Sequence, residues 1–274
     1  MKKLLVFASV LLFTSASVSA QEDNNIFTHF GASVGVGTTG VTIDLATNIT
    51  DYVGLRVGAD IMPKIKYDTD IKINGVADRQ KEYDNIRTAN PQLGLPAVTF
   101  PQKVDIQGKL NNTTGHVLFD LYPGKEIDWH LTLGAYFGPS NVVDIYTTKP
   151  EQLQGVYVYN NAPQRAAANF PKIGAQLGDF FLEPDATGYI DAYVKTASFR
   201  PYVGVGWGRA VPKNHTLGFS VDLGVQFWGT PKVYCQEKEL KAEDVDGNDG
   251  GVVKTLTKIK VYPALTFRLT GKIF

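Results

Sequence analysis

The chain has 274 residues, with 27 basic and 27 acidic side chains, 11% aromatic residues, 27 glycines and a single cysteine. So even a charge balance gives no reason to expect nucleic acid or an acidic substrate as partner, and the lone Cys235 excludes an internal disulfide. Abundant glycine and aromatics, with no run of 18 apolar residues after the first 20, point to an exported all-β chain and away from disorder or membrane-spanning helices.

Residues 1–20 carry Lys2 and Lys3, an apolar run from Leu4 to Phe13 and small residues ending at Ser19 and Ala20, the pattern of a secretory leader cleaved after Ala20. Taking Lys2 and Lys3 from the 27 basic residues leaves 25 against 27 acidic ones in the mature 21–274 domain. With no helical span left, a membrane location for that domain requires a barrel.

The first strand is predicted over 27–37, where Phe30, Ala32, Val34 and Val36 alternate with Gly31, Ser33 and Gly35. Thr38-Thr39-Gly40 turns the chain into a second strand, with Val41, Ile43 and Leu45 against Thr42, Asp44 and Ala46. A third covers 52–62. Residues 67–112 lose the alternation and read as a long polar loop. It returns at GHVLFDLY and at WHLTLGAYF, strands four and five. Residues 146–198 read as a second insertion, with a helical patch at Gln164 to Ala168 and a strand-like piece at Tyr189 to Val194 that prolongs a barrel strand. RPYVGVGWGR is strand six and LGFSVDLGVQFW strand seven, the clearest zigzag in the chain. A third, acidic loop at 235–253 leads to strand eight, YPALTFRLTGKIF.

Eight strands with short turns after the second, fourth and sixth, and long connections after the third, fifth and seventh, match an up-and-down barrel with short turns on one rim and long loops on the other. The apolar side of every strand lacks charge, whereas the other side holds Asp44, Arg56, Asp60, Asp120, Asp222 and Arg268. A soluble barrel would show Lys and Glu on its polar surface; Gly, Ser, Thr and Asp with two arginines suit a narrow lumen with paired charges. The fold predicted is an all-β, eight-stranded antiparallel transmembrane up-and-down β-barrel with long extracellular loops. Tyr52, Tyr122, Trp129, Trp207 and Phe274 fall at strand ends on one rim, and Phe227, Trp228 and Tyr262 near the other, the two belts expected of an aromatic girdle.

The leader, the eight amphipathic strands, the inward glycines and the C-terminal Phe274 resemble the small outer-membrane barrels of the OmpA and OmpW kind, in the style of Bacteroidetes barrel proteins. The resemblance implies a bacterial outer-membrane location, with membrane lipid and the barrel-assembly machinery as partners. One departure is the terminal signal, because Lys272, Thr270 and Arg268 share the parity of Phe274.

Candidate chemistry is sparse. His116 and His130 face inward on neighbouring strands but lack the Cys or Glu companions of a metal or catalytic set. Asp244 to Gly250 has carboxylate spacing reminiscent of a calcium loop, yet Asp249 stands where glycine is required and Thr255 where the closing Glu belongs. No catalytic residue, metal or cofactor is assigned. The function expected is structural, or binding of an extracellular ligand or host factor through the loops. Passage of a small solute past the inward glycines, a lipid-modifying enzyme and a soluble secreted β protein are the alternatives.

Overall fold

The computed structural model describes residues 27, 29–64, 66–73, 76–95, 97–167, 169, 171–177, 180–240 and 260–273. The leader with its cleavage position, the acidic stretch at 244–250 and Phe274 lie outside them. In chain order come β1 (Phe30–Gly37), β2 (Gly40–Thr50), β3 (Val53–Ile61), β4 (Lys66–Lys72), the helix α1 (Val76–Ala89) and β5 (Lys103–Leu110). Next are β6 (Thr114–Leu121), β7 (Trp129–Phe137), β8 (Asn141–Thr147), the helices α2 (Gln154–Asn160) and α3 (Pro163–Ala167), β9 (Ala175–Leu177) and β10 (Phe180–Leu182). The last are β11 (Asp191–Lys195), β12 (Phe199–Trp207), β13 (Leu217–Phe227), β14 (Lys232–Cys235), β15 (Lys238–Leu240) and β16 (Val261–Lys272).

Eight of these strands close into one antiparallel barrel in the order β1-β16-β13-β12-β7-β6-β3-β2. Closure is made by β1 and β16, with Gly35 opposite Arg268 and Gly31 opposite Lys272. The alternation read from the sequence is realised inside out. Along β13, Leu217, Phe219, Leu223 and Phe227 remain about half exposed on the outer wall, while Ser220, Asp222 and Gln226 are buried in the lumen. Water around the wall would favour the opposite arrangement, because apolar burial is the main drive to fold in water. The wall suits hydrocarbon.

Among the described residues the long connections hold regular structure. β4, β5, β8, β11, β14 and β15 form a second, six-stranded sheet in the order β15-β14-β11-β8-β5-β4, and β9 and β10 make a small hairpin beside it. The stretch at 67–112, expected to be irregular, contains β4, α1 and β5. Its pattern was hidden because these elements meet water: α1 buries only Val76 and Tyr83, and β5 offers only Val104 and Ile106 inward. Such narrow stripes scarcely change the polarity of the segment. The expected helical patch at Gln164 to Ala168 corresponds to α3, and the strand-like piece at Tyr189 to Val194 to β11.

This second sheet and its helices enclose their own core, here called the cap. Tyr83, Phe100 and Tyr159 pack edge to face with centroids 5.4 to 6.1 Å apart, among Leu153, Val156, Ile173, Leu182 and Ile190. Asn160 locks the 171–174 segment by donating to the Ile173 carbonyl (2.7 Å) and accepting from its N–H (2.8 Å).

Candidate functional site

Alternation delivers the charged and histidine side chains of six barrel strands to one lumen. Arg56 on β3 reaches Asp120 on β6 (Nε to Oδ2, 2.6 Å) and Asp222 on β13 (3.0 Å). Arg268 on β16 pairs with Asp222 and lies 3.7 Å from Asp44 on β2. All six residues expected in the lumen network are therefore there, but Asp60 is held differently. Its partners are His116 (3.0 Å) and the hydroxyls of Thr39 (3.0 Å) and Thr42. His116 also reaches Asp44 (2.8 Å), and His130 reaches Asp222 (3.0 Å).

The histidines thus supply further hydrogen-bond partners to aspartates that two arginines leave partly unpaired. Both ring nitrogens of His116 face carboxylate oxygens, a geometry that a doubly protonated ring satisfies with two donors. Asp120, His130 and Asp222 converge closely enough to suggest a cation site. Arg56 donates to both carboxylates, however, so its guanidinium fills the position a metal would take. The chemistry of this donor set is that of an ion-pair node. Such a node is expensive to break, because either partner alone would be a buried charge.

Large side chains close the lumen on both sides of the node. Toward the rim of long connections, Tyr136, Tyr202, Leu118 and Ala264 form an aromatic plug. Toward the rim of short turns, the 208–216 connection, of which Val211 to Thr216 is the short turn expected from the sequence, folds Ala210 and Val211 into the barrel mouth against Ala46. Gly208, with φ of 102°, allows the chain to bend inward there. Arg209 fixes this stopper: it stacks over Tyr122 at 4.6 Å, pairs with Asp128 (3.5 Å) and donates to the carbonyls of Gly124 (3.2 Å) and Ile127 (3.1 Å). The Ala210 N–H donates to the Tyr122 hydroxyl (2.8 Å).

Three inward glycines are filled by neighbouring side chains. A Cβ on Gly58 would strike Asp44, one on Gly206 would strike His130, and one on Gly224 would strike Tyr202. Each glycine is the socket for a large neighbour. Arg56 and Gln226 are accordingly 1% and 0% exposed.

The girdle is partly corrected. Trp129, Trp207 and Phe227 stand exposed on the wall at strand ends, and Trp129 lies in register with Trp207; Tyr52 is exposed in the turn before β3, on the parity of the inward Arg56. Tyr122, Trp228 and Tyr262 do not belong with them. Each shares the parity of inward neighbours (Asp120, Gln226 and Ala264), so the zigzag turns it away from the wall. Tyr122 caps the lumen; Trp228 stacks on Tyr262 at 4.7 Å at the junction with the cap.

That junction has a residue the sequence reading passed over. Arg200 is fully buried and donates to the Asn112 side chain (2.5 Å), to the carbonyls of Pro139 (2.8 Å) and Ala197 (2.8 Å), and to Thr196 (3.2 Å), with Trp228 at 4.9 Å. It ties the roots of four connections together. Its shared even-numbered parity with Ala192, Val194 and Tyr202 was the available signal.

Fold and site together define an eight-stranded barrel with an apolar wall, an ion-paired and stoppered lumen, and a folded cap. Comparison with protein families gives no match, and comparison with curated proteins gives none. Among solved structures the chain is similar to the crystal structure of Acinetobacter baumannii CarO2, at 19% identity over 90% of this chain and 100% of that one, with a TM-score of 0.45. It is also similar to that of Acinetobacter baumannii CarO, at 13% identity over 91% and 99% of the two chains, with a TM-score of 0.38.

Proposed function

We propose that this is an integral, non-enzymatic outer-membrane barrel protein that acts through its cap, as an envelope-stabilising or surface-binding protein. One observation carries the reading. Even-numbered residues face inward in both β11 and β12, which the 196–198 link joins from the cap to the barrel, and both sides of the strands change character at the rim. The inward side passes from Ile190, Ala192 and Val194 to Arg200 and Tyr202, while the outward side passes from Asp191, Tyr193 and Lys195 to Phe199, Val205 and Trp207. An exchange of water for hydrocarbon outside the wall explains both changes. From Phe199 to Trp207, at roughly 3.3 Å per residue and a tilt near 40°, the strand rises roughly 20 Å, most of the roughly 25 Å apolar band of outer-membrane barrels.

The filled lumen favours this role over solute passage. The test is fractionation with heat-modifiable gel mobility, followed by planar-bilayer recording of the purified protein. The expected result is a membrane-bound, heat-modifiable species without conductance steps. Recovery of a soluble protein would refute the membrane reading, and resolved unitary currents would replace the cap-based role with a channel.

A further inference from the structure

At the rim of short turns the stopper leaves a cleft of about 350 Å³ between its outer side and the wall. Its two halves differ in chemistry. One half is Trp207, Leu217 and Phe219, all outward and 44 to 62% exposed, which continue the apolar wall. The other half is polar and carries both signs of charge: Lys213 from the stopper, with His215 beside it, and Glu126 and Asp128 from the turn between β6 and β7; Lys213 also donates to the Lys125 carbonyl (2.7 Å) and lies 3.5 Å from Asp51. Glu126 is 83% exposed, lies 3.9 Å from Lys213, and projects its carboxylate into the open.

We propose that this cleft binds a zwitterionic phospholipid with a primary-amine headgroup, in the leaflet that surrounds the short-turn rim. The inference rests on the membrane reading above. In the bound lipid the acyl chain lies against Leu217 and Phe219, the phosphate accepts from Lys213 and His215, and the ammonium donates to Glu126 and Asp128. A purely anionic headgroup would meet the two carboxylates without an ammonium to offset them, and like-charge juxtaposition is the means by which such a site discriminates. A trimethylated amine could not donate to them at all. Arg209 stands behind the cleft as the stopper's clamp, so the binding groups hang from a fixed frame.

The test is titration of the full mature protein in detergent, followed by native mass spectrometry, with phosphatidylethanolamine, phosphatidylglycerol and water-soluble phosphoethanolamine as separate probes. Phosphatidylethanolamine is expected to bind tightest. Lys213→Gln with His215→Gln should weaken both lipids by about ten-fold or more, the scale of one lost charge-assisted hydrogen bond. Glu126→Gln should remove most of the preference for phosphatidylethanolamine over phosphatidylglycerol. Because Glu126 and His215 are exposed, Glu126→Gln and the single His215→Gln provide variants in which folding is not at stake, and heat-modifiable mobility verifies each barrel. Equal or tighter binding of phosphatidylglycerol by the native protein, unchanged lipid binding in folded variants, or phosphoethanolamine binding as tight as the lipid would each overturn the proposal. A heat-modifiable, membrane-bound protein that gives any of those results leaves the membrane reading standing, so the two failures are distinguishable.

Discussion

The barrel and the cap are built from the same chain by the same period of two, with opposite contents. The barrel buries Asp, Arg, His and Thr and displays Leu, Val and Phe; the cap buries Tyr, Ile, Val and Phe and displays Asp, Lys and Glu. Strand alternation therefore specifies two faces without specifying which one is the inside. That choice belongs to the medium. In the cap, water outside drives apolar groups inward. On the proposed membrane reading there is no such drive along the wall, and the lumen is held by charge pairing and by glycine sockets that let large polar groups interdigitate.

The two regions should consequently fail by different routes. The largest effect is expected from Arg56→Ala, which leaves Asp120 and Asp222 buried without their shared partner and should cost the barrel about 3–5 kcal/mol. Urea titration of gel mobility reads this loss, and an unchanged midpoint would show that the node contributes nothing net. Next, Phe100→Ala should remove about 3 kcal/mol from the cap by opening a cavity among Tyr83 and Tyr159, with the barrel still heat-modifiable. Cys235 reports it: burial pushes the thiol up to about 11, so in the native cap it is a protonated, inert group. Its labelling by a thiol reagent at pH 8 should accelerate about a hundred-fold in the variant, the equivalent of that energy. If barrel and cap unfold together in that experiment, they are one cooperative unit and the comparison fails.

A pair of mirrored substitutions sharpens the contrast in medium. Leu223→Arg on the outer wall should cost about 2–4 kcal/mol in lipid. Lys66→Leu, on the outward side of the cap sheet, should change stability by no more than about 0.5 kcal/mol. Equal costs at the two positions would mean that both face the same solvent. The smallest effect is expected at Asp185, whose carboxylate accepts from the Thr187 hydroxyl (2.6 Å) and the Thr187 and Tyr189 N–H groups (2.8 and 2.9 Å), closing the turn before β11. The Thr187 hydroxyl first, and then the backbone donors, hold its pKa below the ordinary aspartate value. A depressed carboxyl contributes fully above the unfolded value of about 3.9 and loses that contribution as pH falls through the folded one. Pepsin cleavage of the cap should therefore rise slightly as pH falls below about 4, and Asp185→Asn should flatten that rise.

The barrel was legible because its two faces differ so sharply: with all charge on one parity, Asp44, Arg56, Asp120, Asp222 and Arg268 could be assigned to a common lumen before any pairing was known. Tyr122 and Trp228 were legible in the same way, by their shared parity with Asp120 and Gln226, although position at a strand end suggested the wall. The cap was not, since elements such as α1 and β5 meet their core through two residues each, and a stripe that thin is lost among the polar groups that water requires.

What the sequence determined by itself was the set of amphipathic strands, their number and which parity carries charge, because these follow from the chain's own repeat. Which aspartate meets which arginine or histidine, how Arg200 knots the roots of four connections, and that Ala210 and Val211 turn inward to stop the lumen were decided only by closure of the sheet. Closure brings together residues as far apart as Arg56 and Asp222, and no local pattern records a contact across that separation.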